Sequence, residues 1–333
     1  MPPADTPLPA EAAALLREWL GEEWTARPLA GDASVRAYYR IATSDGNTFV
    51  LAWYPKEVRM DVHRNLEAHD AVVEHARIPR VVRHDAAAVL QQDIGDRTLF
   101  DILHEDREHG VQLYESAIEL LVDFQHAGVR EVNPRFTAEF FSNELAMTRE
   151  FYVEKLMETP RTVSESLINP FRKLAEKVAS HPYVLCHRDF HGQNIHLFNE
   201  QLYVIDFQDM RMGPDTYDLA SLVRDRGVCE ILGDDTEEAL IERYRELREA
   251  DEGLRRRYFE TLLQRSLKIL GTFSRQPLER GKMHYLDFIP ATLNSVRRCL
   301  SELPGHREIA ELFPMSFSLG DARERAIHYH SRL

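Results

Sequence analysis

"VLCHRDFHGQNIHLFNEQLYVIDFQD", Val184 to Asp209, sets five polar side chains between short apolar runs: His187, Asp189, His191, Asn194 and Asp206. The runs "YVLC", "IHLF" and "LYVI" read as buried β-strands. Desolvating an unpaired carboxylate is expensive, so such strands normally exclude charge. An ion-pair network, a metal ion or a substrate must compensate it. The turn "NEQ" predicts an antiparallel hairpin that pairs Ile195 with Ile205 and sets Asn194 opposite Asp206. Facing residues in such a ladder lie ~5 Å apart, so an amide oxygen and a carboxylate converge on one ion. Hard oxygen donors suit Mg²⁺, which takes few protein ligands and completes its shell with phosphate and water. Asp189, on the loop entering the hairpin, is placed to orient an attacking hydroxyl or accept its proton. One Asp for the nucleophile, with an Asn and a second Asp for metal, is a phosphoryl-transfer arrangement. The purely structural alternative has Arg188 alone to set against Asp189, Asp206, Asp209 and Asp218.

The rest of the 333-residue chain frames that segment. Its length suggests two lobes, and 44% hydrophobic residues can supply a substantial core. With 55 acidic against 41 basic residues, a formal charge of −14, the chain is a poor match to nucleic acid or anionic membrane. No apolar run reaches the ~18 residues of a membrane span, and the opening "MPPADTPLPAEAAALLREWL" lacks the pattern of a secretory signal. Three widely spaced cysteines, Cys186, Cys229 and Cys299, form neither a zinc pattern nor a disulfide framework. These features predict a reduced, cytoplasmic protein, and none of them specifies an oligomeric state.

A helix at about Ala10–Leu20 is followed by the strands "VRAYYRIAT" and "NTFVLAWY" around the turn "SDG". A helix over about Val58–Glu74 and the strands "RVVRH" and "AVLQQD" complete a small antiparallel sheet with one packed helix. Beyond a joint near Gln91–Gly95, amphipathic stretches predict helices at about 101–127, 137–157, 164–180, 216–229, 236–249, 253–273, 285–303 and 321–330. The expected fold is α+β and bilobal: a β-rich lobe over 1–94 and a larger, mainly helical lobe over 95–333.

"HRDFHGQN" with "IDFQD" resembles the catalytic and metal-binding loops of the protein-kinase-like superfamily. In protein kinases an activation segment and an Ala-Pro-Glu motif follow the metal-binding Asp. Here "MRMGPDTYDLASLVRD" follows at once, which resembles the aminoglycoside phosphotransferase family of small-molecule kinases. "LAGDASVRAYYRI", "LQRSLKILGTFSR" and "GKMHYLDFIPATL" are similar to the bacterial anomeric kinases of N-acetylmuramate and N-acetylglucosamine used in cell-wall recycling. The resemblance spans roughly residues 28 to 300.

It implies ATP and Mg²⁺ as cofactors, a small sugar as acceptor, and a nucleotide held by the first lobe. Asp189 matches the catalytic base, and Asn194 and Asp206 the metal ligands. His187 and Asp218 match supports of the catalytic loop. "LAGDASVRAYYR" occupies the place of the phosphate loop with one glycine, Gly31, and two small residues, Ala33 and Ser34. Gln92 and Ile94 in "VLQQDIGD" stand where backbone groups hydrogen-bond adenine. The strand "FVLAWYP" carries Ala52 where the ATP-binding lysine is expected, so Arg36 or Arg40 on the neighbouring strand is expected to supply that charge, ahead of Lys56 beyond Pro55 at the strand end.

His191 and Asp209 are open to two roles, touching substrate or completing the polar network. Gln264, Arg265, Lys268 and Tyr285 are candidates to line the sugar pocket, although the apolar spacing of their stretches reads most simply as helix core. Glu144, in "FFSNELAMTREFYVEKL", is a further candidate against the plain reading of a solvated helix face. Two other functions stay open: a kinase of an aminoglycoside or other small alcohol, and a nucleotide-binding regulator without catalysis, to which Ala52 points.

Overall fold

The computed structural model describes residues 7–29, 35–128, 131–225 and 227–332. In chain order, α1 (Ala10–Leu20) leads into β1 (Trp24–Leu29), β2 (Ala37–Thr43) and β3 (Thr48–Trp53). Next come α2 (Met60–Val72), β4 (Val81–His84), β5 (Ala88–Gln92), α3 (Leu99–Glu105) and α4 (Arg107–Gln125). Three helices follow, α5 (Ala138–Thr148), α6 (Arg161–Ser166) and α7 (Ile168–Ala179). The strands β6 (Tyr183–Cys186), β7 (Ile195–Phe198), β8 (Gln201–Val204) and β9 (Arg211–Pro214) precede α8 (Tyr217–Val223), α9 (Cys229–Leu247) and α10 (Leu254–Arg280). The chain closes with α11 (Ile289–Glu302), α12 (Arg307–Leu312) and α13 (Leu319–His330). Two compact units result, Met1–Val132 with Gly192–Met210, and Asn133–His191 with Arg211–Leu333. The sheet ends at Gln92, beside the boundary expected from the sequence, while the unit containing it runs on through α3 and α4 and takes in the β7–β8 hairpin.

In the first unit the five strands form an antiparallel sheet of order β1-β2-β3-β5-β4. Strand alternation sorts its side chains. Tyr39, Ile41, Leu51, Trp53 and Leu90 pack against Ala12 and Leu16 of α1. Ala52, Tyr54 and Val89 point the other way, where Val62 and Leu66 of α2 meet them. To the one helix expected, the structure therefore adds α1 on the opposite face. β1 was not legible as a strand because Pro28 interrupts it; as the edge strand it needs no outward N–H there.

The β7–β8 hairpin is tied to this unit by backbone bonds. Leu197 N–H donates to Arg97 O (2.9 Å) and Val204 N–H to Arg77 O (3.0 Å). Gly192, just before it, has no room for a side chain: a Cβ there would lie 2.9 Å from the Tyr114 hydroxyl and 3.0 Å from the Phe100 nitrogen.

The second unit is built around α10, whose buried face runs from Leu254 to Leu278. α5 approaches α10 closely because position 271 is glycine; a Cβ there would meet the Thr148 backbone at 2.8 Å. The Thr148 hydroxyl donates to Leu267 O at 2.7 Å, which fixes the registry of the two helices. Residues 149–156 continue α5 as a π-helix, a feature absent from the sequence reading. Among the described residues no helix is long and apolar enough to cross a membrane.

Candidate active site

The chain passes from the second unit to the first between His191 and Gly192 and returns between Met210 and Arg211. The quoted stretch thus distributes its polar groups over both units. His187, Asp189 and His191 belong to the second, and Asn194, Asp206 and Asp209 to the first.

The first unit holds a cavity of about 650 Å³. Its apolar lining includes Val50, Ala52 and Phe207, and its polar lining includes Arg36, Asn194 and Asp206. The hairpin beneath it differs in register from the sequence expectation. Ile195 pairs with Val204, not Ile205, because the strands close through a two-residue turn. Asn199 (φ 49°) and Glu200 (φ 58°) both adopt positive φ there, which spares Gln201 for the strand. Asn194 consequently faces Ile205, whose N–H donates to Asn194 O at 3.0 Å. Asp206 lies one residue further on, in the left-handed conformation at φ 67°, and both Asn194 and Asp206 still line the cavity. The Asp206 carboxylate accepts from Gln208 Nε2 (2.9 Å) and from Arg36 (3.3 Å). One amide oxygen and one carboxylate facing a roomy polar cavity fit the donor set of Mg²⁺.

Structure separates the two arginines proposed to replace the lysine. Arg40 is committed to the joint, with bonds of 2.7 and 3.0 Å to Asp93 and of 2.6 and 2.7 Å to Asp96. Arg36 lies between the rings of Tyr38 and Tyr54, 5.7 and 5.9 Å from their centroids, and reaches Asp206. Burial works against its charge, but Tyr38, Tyr54 and Asp206 outweigh that and raise its pKa. Asn65 of α2 also lines the cavity. Sequence reasoning missed Asn65; the helical phase of α2 was its only signal.

Gln92 and Ile94 both line the cavity. The Gln92 N–H donates to Arg80 O at 2.9 Å and is thus already used within the unit. Asp209 faces a smaller neighbouring cavity of about 150 Å³ with Arg36 and Arg64. Gly31, Ala33 and Ser34 lie outside the described residues.

In the second unit, Arg188 adopts φ 82°, an unfavourable value for a bulky residue. Asp218, wholly buried at the start of α8, holds this strained loop. One of its carboxylate oxygens accepts from His187 N–H (2.6 Å) and the other from Arg188 N–H (2.9 Å). The buried His187 ring accepts from Asp189 N–H through Nδ1 at 3.3 Å. Asp189 presents its surface to solvent. Surrounding protein would raise its carboxyl, but His187, Arg188, Arg265 and Lys268 hold it below the ordinary range.

α10 supplies the neighbours of Asp189. Arg265 stacks on Tyr217 at 4.3 Å and donates to Ser221 Oγ at 2.8 Å. Gln264 Nε2 donates to Glu144 of α5 at 2.7 Å, and Lys268 Nζ stands 3.9 Å from the other Glu144 oxygen. Glu144 is therefore engaged with α10 rather than part of a solvated face. His191 meets Asp225 at 3.8 Å. Tyr285 packs with Phe273 (5.7 Å) and Phe288 (6.3 Å), in an aromatic cluster further along the fold.

Burial pushes the Asp218 carboxyl up to about 7 against the two N–H donors and Arg265. Between ~pH 4, the ordinary carboxylate value, and about 7, the folded chain binds a proton there that the unfolded chain does not. Stability contributed by this site therefore falls as pH rises through that window. Urea titrations of Asp218→Asn between pH 5 and 7 should show a shallower loss of stability than wild type. The variant should also be ~1–3 kcal/mol less stable at pH 5, because its amide turns a donor toward a backbone N–H.

The model of the phosphotransferase enzyme family, APH, matches residues 25–258. An N-acetylmuramate/N-acetylglucosamine kinase of Neisseria meningitidis serogroup B is 31% identical over 325 residues, 90% of this chain and 92% of that protein. A Pseudomonas aeruginosa protein of the same name is 26% identical, with 86% of each chain covered. Among solved structures, ADP-bound aminoglycoside phosphotransferase APH(2'')-Ib superposes with a TM-score of 0.61 over 88% of this chain and 99% of its own, at 15% identity. That likeness shows a kinase-like fold.

Proposed function

Because the chain belongs to the phosphotransferase enzyme family, we propose that it is an ATP-dependent kinase phosphorylating the anomeric hydroxyl of an amino sugar, N-acetylmuramate or N-acetylglucosamine, in cell-wall recycling. The names of its relatives support this acceptor. So does the observation that carries the choice, the cationic surround of Asp189. Arg188, Arg265 and Lys268 all act on its carboxylate, and they would repel a polycationic aminoglycoside. An N-acetylated sugar, neutral or anionic, suits them.

In this reading the first-unit cavity takes the nucleotide, with the base against Val50, Ala52 and the Gln92–Ile94 segment and the phosphates toward Arg36. Asn194 and Asp206 hold Mg²⁺, which when bound neutralises charge on the phosphates. Asp189 orients the anomeric hydroxyl for in-line attack. The sugar oxygen bonds to the γ-phosphorus, the bond from that phosphorus to the β-bridging oxygen breaks, and the hydroxyl proton passes to Asp189. ADP and the sugar 1-phosphate result. His187 and Asp218 keep the Asp189 loop in place. ATP as donor and three free cysteines, two of them buried, support a cytoplasmic location.

Initial rates with N-acetylmuramate, N-acetylglucosamine, choline and an aminoglycoside test the acceptor. Turnover of the amino sugars supports the reading; turnover of the aminoglycoside or choline alone, or of none, overturns it. Arg36→Met should raise the KM for ATP by ~10–100-fold, the worth of a hydrogen bond to a charged group. Arg40→Met should instead lower the melting temperature and leave that KM nearly unchanged, since Arg40 serves the joint.

A further inference from the structure

Around Asp189 the second unit gathers more positive charge than its own acids use. Arg188, Arg265 and Lys268 stand against Asp189 and Glu144, while the third acid, Asp218, is committed to the His187 and Arg188 N–H groups. The two helical cations differ in their commitments. Arg265 is fixed by the Tyr217 ring and the Ser221 hydroxyl. Among the described residues, Lys268, one turn further along α10, has only a long 3.9 Å ion pair to Glu144, whose other oxygen already accepts from Gln264 at 2.7 Å. Its side chain keeps 29% of its surface exposed, so it can reach a ligand. Burial pulls the ammonium pKa down, as do Arg265 and Arg188, against the opposing pull of Glu144 and Asp189. A second anion beside Lys268 would relieve that imbalance.

Resting on the amino-sugar reading, we propose that Lys268, backed by Arg265, binds a carboxylate on the acceptor and thereby sets a preference between anionic and neutral sugars. N-acetylmuramate carries such a group in its lactyl ether; N-acetylglucosamine has only a hydroxyl at the same carbon. The two acceptors present the same anomeric hydroxyl, so the choice between them falls to residues away from the transferred phosphoryl group. Lys268 supplies a compact point charge on a flexible stem, suited to a carboxylate on a rotatable ether.

Kinetics with both sugars test this. Lys268→Met should lower kcat/KM for N-acetylmuramate ~10-fold or more, through KM, the worth of one charge-assisted hydrogen bond. Any change in kcat that Lys268 transmits through Asp189 should be common to both sugars, whereas the KM for N-acetylglucosamine and for ATP should stay within about twofold, and Lys268→Arg should restore much of the N-acetylmuramate KM. A salt titration of the wild type needs no variant: raising ionic strength from ~0.05 to ~0.5 M should weaken N-acetylmuramate and spare N-acetylglucosamine. Equal loss on both sugars would place Lys268 at the transferred phosphoryl group and overturn the proposal. So would no loss on either, or salt effects that match. If the wild type phosphorylates neither sugar, the amino-sugar reading itself fails, a result distinct from these.

Discussion

Asp189→Asn should lower kcat by about 10²–10⁴-fold, the range typical of a lost general base, while leaving nucleotide affinity unchanged. The expectation follows from where the chain places the residue. Among the described residues, every side chain lining the proposed nucleotide cavity belongs to the first unit, whereas Asp189 belongs to the second. Asparagine keeps the size of the side chain, and Asp218 and the His187 ring hold the backbone of its loop. In the proposed reaction, what is lost is the acceptor for the hydroxyl proton and the negative charge among three cations. The carboxyl sits below the ordinary range, so it is a weak base at neutral pH, and the proposal gives it the task of orienting the hydroxyl more than of early proton removal. That matches phosphoryl transfer, whose loose transition state asks mainly for positioning and charge. Activity should accordingly persist toward acid pH until this carboxyl protonates, below the ordinary aspartate range. Single-turnover rates and fluorescent-nucleotide titrations check both halves of the expectation.

Asp206→Ala should be at least as damaging, and in a different way. It removes one of the two proposed Mg²⁺ ligands and leaves Arg36 without the carboxylate it reaches at 3.3 Å. Loss of even an outer-shell partner costs ~10–100-fold in metal affinity, so a direct ligand should cost no less. Calorimetric titration of ATP should show the distinction. Wild type should bind more tightly with Mg²⁺ than with a chelator, and Asp206→Ala should show no such difference. An unchanged Mg²⁺ dependence would remove Asp206 from the metal site. The two variants should thus separate cleanly, Asp189→Asn losing turnover with binding intact and Asp206→Ala losing metal-assisted binding.

Local chemistry determined which parts were legible in the sequence. α1 could be read because its apolar spacing is uninterrupted, and the central strands because β-branched and aromatic residues dominate them. The β7–β8 turn could not, since Asn199-Glu200 lacks the glycine that marks two-residue hairpins with both φ positive. A non-glycine residue there is a tertiary outcome, and it moved the register by one. Asn194 and Asp206 nevertheless face one cavity, because the left-handed turn at Asp206 redirects its side chain. Arg36 and Arg40 looked interchangeable in sequence; only the joint carboxylates Asp93 and Asp96 distinguish them. The surround of Asp189 was the least legible part. It is assembled from Glu144, Arg188, Ser221, Arg265 and Lys268, which share no local pattern and meet through the close packing of α5 on α10 at Gly271.

The most direct test of the phosphoryl-transfer account is ³¹P NMR of the product formed by the wild-type protein from N-acetylmuramate with ATP and Mg²⁺. A phosphorus resonance coupled to the anomeric proton, growing in step with ADP, is the result expected if Asp189 aims that hydroxyl at the γ-phosphorus. Phosphate on any other sugar oxygen, or ATP left unconsumed, would contradict it.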